Sequence, residues 1–161
     1  MGNAYLYRMP SGIPGDVTRK SQSTIESLPM GATQFDGFGL FGKIAGGKVV
    51  PLATGDAATV VRGLLVRSFP TQSTNNSMGS STPKTGGVCD FLRRGYMTVK
   101  NNAGTTALDG QVYVRIDNAA SGKPIGGIEA VADGSNTIVI AGARFMHEAD
   151  AQGNVEIAFN I

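Results

Sequence analysis

Apolar and polar residues alternate most regularly between residues 88 and 117. Within 96–100 and again within 112–116, successive side chains point to opposite faces, which is the period of a half-buried β-strand. Breaks rich in Asn, Asp and Gly at 101–104 and 108–110 separate the two runs, and these residues adopt positive φ at low cost. The pattern predicts a central antiparallel pair of strands.

Shorter runs on both sides of this pair also have the composition of strands. They lie at 48–52, 60–66, 125–131, 137–140 and 155–159. Pro51 favours an edge position for the first run, because proline cannot donate a ladder hydrogen bond. Residues 143–152 favour helix by composition but lack helical spacing, so we expect a strand, a turn at 150–153 and a last strand. About eight to ten short strands at this spacing predict an all-β barrel or sandwich.

Residues 1–47 follow a different pattern. Prolines and glycines are interleaved there, which disfavours a regular sheet, yet the segment is too apolar for a free tail. We predict an extended, irregular N-terminal arm over 1–47, with a short β segment at 24–26. We expect the arm to be buried on its own domain or on a neighbouring subunit, beside a β-domain over 48–161. Deleting residues 1–30 should then leave a folded β-domain. The residues predicted to contact a partner are Tyr5, Tyr7, Arg8, Ile13, Arg19, Lys20, Phe35 and Phe38.

Charge is sparse and unevenly placed. Charged residues make up 16% of the chain, below the roughly 25% of ordinary soluble domains. Residues 1–100 carry eleven basic and five acidic groups, and residues 101–161 carry three basic and seven acidic groups. This asymmetry can orient the protein on a patterned surface or on a copy of itself. It lacks the concentrated basic face of a nucleic-acid-binding protein.

No combination of residues predicts catalysis, a metal site or a bound cofactor. His147 is the one histidine and Cys89 the one cysteine, which does not suit a zinc or transition-metal site. Residues 37–42 match the G-x-G-x-x-G string, but no helix follows to bind a pyrophosphate, so they are interpreted as turns. The only candidate patch for stacking and binding single-stranded nucleic acid is Tyr96, which lies near Arg93, Arg94 and Lys100.

The chain has no feature that predicts passage through a membrane. A single cysteine cannot form an internal disulfide, no uncharged apolar run approaches the roughly 20 residues of a membrane span, and no signal peptide is recognised. The uncharged stretch 68–83 predicts a long surface loop, a type of segment that is usually functional or disordered.

Several short motifs occur in a defined order along the chain. They are PSGIPGDVTR at 10–19, TIE at 24–26, GLLVR at 63–67, GYMTV at 95–99 with GQVYV at 110–114, and GARF at 142–145 before an alternating strand. In this order the chain resembles the structural cement (decoration) proteins of tailed bacteriophage capsids. The resemblance covers most of the chain but not the stretch 68–83.

The resemblance implies a jelly-roll-like β-domain with an extended arm, bound to the major capsid protein on the outer surface of the virion. Assembly would take place in the host cytoplasm, and copies would bridge neighbouring capsomers and associate with one another. Neither an enzymatic activity nor a nucleic-acid or membrane partner is expected. Two alternatives are a phage tail or baseplate β-module and a carbohydrate- or nucleic-acid-binding β-barrel.

Overall fold

The alternating segments form nine β-strands in the structure, a computed structural model that describes residues 12–68, 83 and 85–161. The strands are Thr24–Pro29 (β1), Phe41–Ala45 (β2), Lys48–Pro51 (β3), Gly63–Leu65 (β4), Val88–Lys100 (β5), Gln111–Arg115 (β6), Ile128–Glu129 (β7), Thr137–Phe145 (β8) and Asn154–Phe159 (β9). The helical elements of the described residues are 3-10 turns at Lys20–Gln22, Ala58–Val60 and Gly134–Asn136, each too short to cross a membrane. The all-β prediction of about eight to ten short strands is confirmed.

The strands join into one curled antiparallel sheet. Its order is β3-β2-β4-β5-β9-β8-β6-β7, and β1 pairs with β5 off this path. At Leu92, β5 lies between Ile25 of β1 and Leu64 of β4. The curl brings Met30, just after β1, into a bridge with Val49 of β3, the strand at one end of the sheet order.

β5 is the longest strand, and it serves both parts of the sheet. Its first half pairs with β1 and β4, and its second half pairs with β9. Gly95 marks the change with a φ of 136°, and a Cβ there would lie 2.2 Å from Ser23 Oγ. Only glycine fits this conformation and this close approach, so the strand can change its pairing without ending.

Two hydrophobic cores lie on opposite faces of β5. Phe91 belongs to the smaller core, and Leu92, the next residue, belongs to the larger one. The smaller core contains Met30, Phe35, Phe38, Leu40, Val49, Leu65 and Phe91. The larger core includes Phe41, Leu64, Leu92, Met97, Val99, Val112, Val114, Phe145, Ile157 and Phe159. Alternate side chains of β5 thus pack into two different hydrophobic cores.

A buried ion pair fixes the connection between β6 and β7. Arg115 Nε donates to Glu129 Oε1 at 2.6 Å, and the two side chains are 2% and 1% exposed. Arg115 also donates to Asp133 Oδ2 at 2.6 Å and to the carbonyls of Asp117 and Asn118. Because its donors are used, the buried charge is compensated, and the pKa of Arg115 is raised chiefly by its hydrogen bond to Glu129.

The predicted central pair is wrong. β5 and β6 are not neighbours, because β9 and β8 lie between them. The connection between β5 and β6 crosses the end of the sheet, where Asn102 N donates to the carbonyl of Ile128. Alternation identified both strands correctly, but it carries no information about which strand becomes the neighbour.

The predicted irregular arm differs from the structure after residue 23. Residues 24–29 and 41–45 are strands of the same sheet as the rest of the chain. The predicted boundary at residue 47 falls inside a hairpin, where Ala45 pairs with Lys48 across Gly46 and Gly47, both at positive φ. Deletion of residues 1–30 would remove β1 from the sheet, so we no longer expect it to leave a folded β-domain. The first eleven residues of the predicted arm, and most of the predicted loop 68–83, lie outside the described residues.

Candidate functional site

Residues 12–18, here called the strap, run along the second half of β5. Gly15 N donates to the carbonyl of Thr98 at 2.8 Å, Thr98 N donates to the carbonyl of Asp16 at 2.8 Å, and Thr18 N donates to the carbonyl of Tyr96 at 3.2 Å. A Cβ at Gly15 would lie 2.6 Å from that of Phe38, so glycine is needed for this close fit. The strap is thereby attached to the sheet by its backbone.

Arg19 fastens the end of the strap. Its guanidinium carbon lies 4.1 Å from the centroid of the Tyr96 ring, and its Nη2 donates to Glu156 Oε2 at 2.7 Å. The hydroxyl of Thr18 donates to the same carboxylate. The hydrogen bond to Glu156 raises the pKa of Arg19 above its ordinary value. This cation is occupied within its own chain by an ion pair and a ring contact.

The predicted contact residues separate into three groups. Tyr5, Tyr7 and Arg8 lie outside the described residues. Ile13 is 51% exposed and Lys20 is exposed, so both are available to a partner. Arg19, Phe35 and Phe38 are used within the chain.

Phe35 and Phe38 are buried where partner contact was predicted. Phe35 is only 1% exposed, and both rings belong to the smaller core. Gly42 allows this packing, because a Cβ at that position would lie 2.8 Å from the Phe35 ring. Their apolar character therefore has an explanation inside the subunit, and contact of these two rings with a partner has no support from their position.

Sequence reasoning missed the outer face of the ribbon formed by β1 and the first half of β5. On one face, Leu28, Cys89 and Phe91 pack in the smaller core. The opposite face is exposed toward its Val88 end, whereas Leu92, opposite Ile25, is buried in the larger core. Val88 is 77% exposed and Ile25 is 39% exposed. Between them, Ser27 Oγ donates to Asp90 Oδ1 at 2.6 Å, and Pro29 is also exposed.

The same ribbon has an unpaired backbone edge, here called the β1 edge. Met30 N donates to the carbonyl of Gly87, and the register continues from there through Pro29 opposite Val88 to Ile25 opposite Leu92. Hydrogen-bonded and non-hydrogen-bonded pairs alternate in an antiparallel ladder, so the groups of residues 26 and 28 face β5. Those of residues 25, 27 and 29 face away. The parallel bridge between Met30 and Val49 takes up the carbonyl of Pro29, so residues 25 and 27 keep the unpaired groups.

Cationic residues gather at the Thr24 end of the β1 edge. Arg94 is paired with Thr24, Lys20 lies in the turn just before it, and Arg93 Nη1 donates to the carbonyl of Arg62 at 3.0 Å. The two carboxylates of the ribbon are both occupied. Arg93 Nε lies 3.5 Å from Glu26 Oε2, and Asp90 accepts the hydroxyl of Ser27.

An open groove of about 750 Å³ lies between the strap and residues 119–124. Arg67 lines it, but its guanidinium carbon lies 4.8 Å from the centroid of the Phe38 ring and its Nε donates to the carbonyl of Pro14. Lys100 also lines the groove, and its Nζ donates to the carbonyl of Gln152. The groove therefore offers a shallow surface whose two cations already have partners.

The described residues contain no arrangement suited to catalysis or metal binding. No three of their His, Cys, Asp and Glu side chains are grouped closely enough to hold a metal ion. His147 Nδ1 lies 2.7 Å from the carbonyl of Glu148. Burial raises the pKa of the Cys89 thiol, which keeps it protonated, and its Sγ lies 3.5 Å from the carbonyl of Leu28.

The comparisons identify the family. The model of the XM1 gp53 minor capsid protein family matches residues 2–159. The chain belongs to this family. A solved chain from the capsid of Myoviridae phage XM1 has a similar fold, with a TM-score of 0.68 and 18% sequence identity, and the match covers 99% of this chain and 97% of that chain. No curated protein sequence matches the chain.

Membership of this minor capsid protein family confirms the predicted resemblance at the level of a capsid-associated phage protein. It supports a structural role in the capsid, a location in the virion and interaction with other capsid components. The predicted jelly-roll connectivity, the self-association and the finer cement role remain predictions.

Proposed function

We propose that this minor capsid protein acts as a cement protein, which binds the outer surface of the phage head and bridges neighbouring major capsid proteins. The observation that carries the proposal is the family match over residues 2–159, nearly the whole chain.

Surface features support the same proposal. The strap displays Ile13 and the ribbon displays Ile25 and Val88, so apolar side chains are exposed on two segments attached to one rigid sheet. Exposed apolar side chains rimmed by polar groups are typical of contacts between proteins. Each copy needs only a modest affinity, because many contacts on one closed shell act together. Neighbouring copies of the chain would associate on the same shell.

The test is to add the purified chain to shells assembled without it. We expect the chain to sediment with the shells, electron microscopy to place it outside and between capsid subunits, and coated shells to survive heating that opens bare ones. Shells of an unrelated phage serve as the control. Recovery of the chain with isolated tails instead of heads, or coating without any gain in shell stability, would contradict the cement role.

A further inference from the structure

The β1 edge has the geometry of a site for strand addition. Ile25 and Ser27 each direct an N–H and a C=O away from β5, as the register and the bond from Met30 N to Gly87 require. The carbonyl of Pro29 faces the same way, but the parallel bridge between Met30 and Val49 takes it up, so the open groups are those of Ile25 and Ser27. Unpaired groups of this kind are a template for pairing with an extended segment of another chain. No other described strand satisfies them.

Edge strands normally carry a feature that blocks such pairing, for example an inward-pointing charge, a proline or a bulge. Within β1 the one register shift lies at its start, between Thr24 and Ile25, and the one proline lies at its end. The middle of the strand has neither, and Glu26 there is paired with Arg93. The open part of the edge is thus short but unblocked.

The side chains beside the edge indicate what kind of segment fits. At the Thr24 end lie Lys20, Arg93 and Arg94, with Arg62 adjacent on the far side of β5. At the Pro29 end lies the exposed side chain of Val88. A complementary segment is therefore acidic where it passes Thr24 and apolar where it passes Pro29.

A second copy of this chain does not meet that requirement. In an antiparallel pairing of two β1 edges, the Arg93 and Arg94 cluster of each copy would lie beside the Pro29 end of the other copy, where the exposed side chain is Val88. The nearby carboxylates, Glu26 and Asp90, already have partners within each copy, so a second copy brings no free acidic group opposite the arginines. The charge pattern favours a different chain.

We propose that an extended, acidic-to-apolar segment of a neighbouring capsid chain adds as a strand to the β1 edge. This proposal rests on the proposed capsid function and specifies the surface and the chemistry of the partner. The added strand bonds to the backbone at residues 25 and 27, and its acidic end pairs with Lys20, Arg93 and Arg94.

Hydrogen exchange on the unaltered protein tests the edge directly, with an internal control. The amides of Glu26 and Leu28 face β5 and should exchange slowly in the free protein and on shells. The amides of Ile25 and Ser27 should exchange rapidly in the free protein and become protected when it binds empty shells. Protection of Ile25 and Ser27 already in the free protein would mean that the chain covers its own edge, which overturns the proposal.

The variant Ser27→Pro removes one outward N–H without touching the β1–β5 ladder. We expect it to weaken binding to shells by about tenfold or more, whereas Ser27→Ala, which keeps the N–H and loses only the hydroxyl, should bind within about threefold of the wild type. Urea midpoints of both variants report whether they fold. If a folded Ser27→Pro protein binds shells as tightly as the wild type does, strand addition at the β1 edge is contradicted, whereas the proposed capsid role is not. Failure of the wild-type protein to bind any shell would contradict both strand addition at the β1 edge and the proposed capsid role.

Charge reversal tests the partner's chemistry. Arg94→Glu should weaken shell binding several-fold and reduce its sensitivity to salt, while Lys123→Glu, in a turn outside the ribbon, should change neither. Unchanged binding by Arg94→Glu contradicts an acidic partner. A concentration-dependent dimer of the free chain that Ser27→Pro abolishes would assign the edge to a second copy and also overturn the proposal.

Discussion

Phe91 and Leu92 are consecutive residues whose side chains lie in different hydrophobic cores. Both side chains are fully buried, so this short part of β5 has no face free for solvent. A central strand of this kind is sensitive to any neighbour that cannot approach closely. The closest neighbour is Gly63 of β4, where a Cβ would lie 2.2 Å from the carbonyl oxygen of Leu92 and 2.8 Å from the Phe91 ring.

Gly63→Ala should therefore destabilise both cores. We expect the free energy of unfolding in urea to fall by about 2–3 kcal/mol or more, because the added methyl meets backbone that cannot move aside. The matched control is Gly37→Ala, where a Cβ would have no atom within 4 Å; its effect should stay within about 0.5 kcal/mol. Equal urea midpoints for the two variants would show that β4 can shift away from β5.

Removing one partner of the buried ion pair should be costly. Arg115→Ala leaves the carboxylate of Glu129 buried without its cation, and we expect a loss of about 3–5 kcal/mol in the free energy of unfolding. Arg144→Ala is the control, since Arg144 and its partner Asp109 have side chains that are 57% and 73% exposed. Its loss should be below about 1 kcal/mol. A small loss for Arg115→Ala would mean that water reaches Glu129.

The same network predicts an acid-dependent loss of stability. The hydrogen bond from Arg115 lowers the pKa of the Asp133 carboxyl, so the ionised form is favoured in the folded protein. A lowered folded-state pKa contributes stability that is complete above the unfolded value of about 3.9 and is lost as the pH falls through the folded value. Asp133→Asn should remove this part of the acid dependence, measured as unfolding free energy from pH 6 downward. Curves of identical slope below about pH 4 for variant and wild type would contradict it.

The fastening of the strap can be tested at Arg19. Arg19→Ala removes the ion pair with Glu156 and the contact with the Tyr96 ring, and we expect a loss of about 1 kcal/mol because the arginine is partly exposed. The Thr18 amide, which donates to the Tyr96 carbonyl, should exchange faster. Lys20→Ala, next in sequence and exposed, should change neither quantity. Unaltered exchange at Thr18 in Arg19→Ala would show that the backbone bonds alone hold the strap.

Sequence alternation was sufficient to locate most of the strands. The predictions of a strand at 155–159, of a turn at 150–153 and of an edge position for the strand containing Pro51 agree with β9, with the bond from Gly153 N to the Asp150 carbonyl and with β3 at one end of the sheet order. Period-two alternation reports which residues are half-buried in a strand, and turn residues mark where the strand stops.

Strand pairing and the site needed coordinates. β9, last in the chain, lies against β5, and a contact so distant in sequence leaves no local pattern. Of β1 only a short β segment at 24–26 was predicted, because Pro29 and the nearby glycines indicated an irregular segment, although Pro29 only ends the strand. Phe35 was assigned to a partner because its segment looked unable to fold, whereas Gly42 provides space for its ring inside the chain. To recognise the β1 edge one must know which residues of β1 direct their backbone groups away from β5, and this follows only from the observed register.

The position of Pro29 limits how far a sheet could grow from this molecule. Its nitrogen, which has no hydrogen, falls on the outward side of β1, and at residue 30 the chain turns away to bridge Val49. An incoming segment finds donors at only two residues before the row ends. Such a short edge permits a local addition of one strand and prevents the continuous strand pairing that leads to fibres.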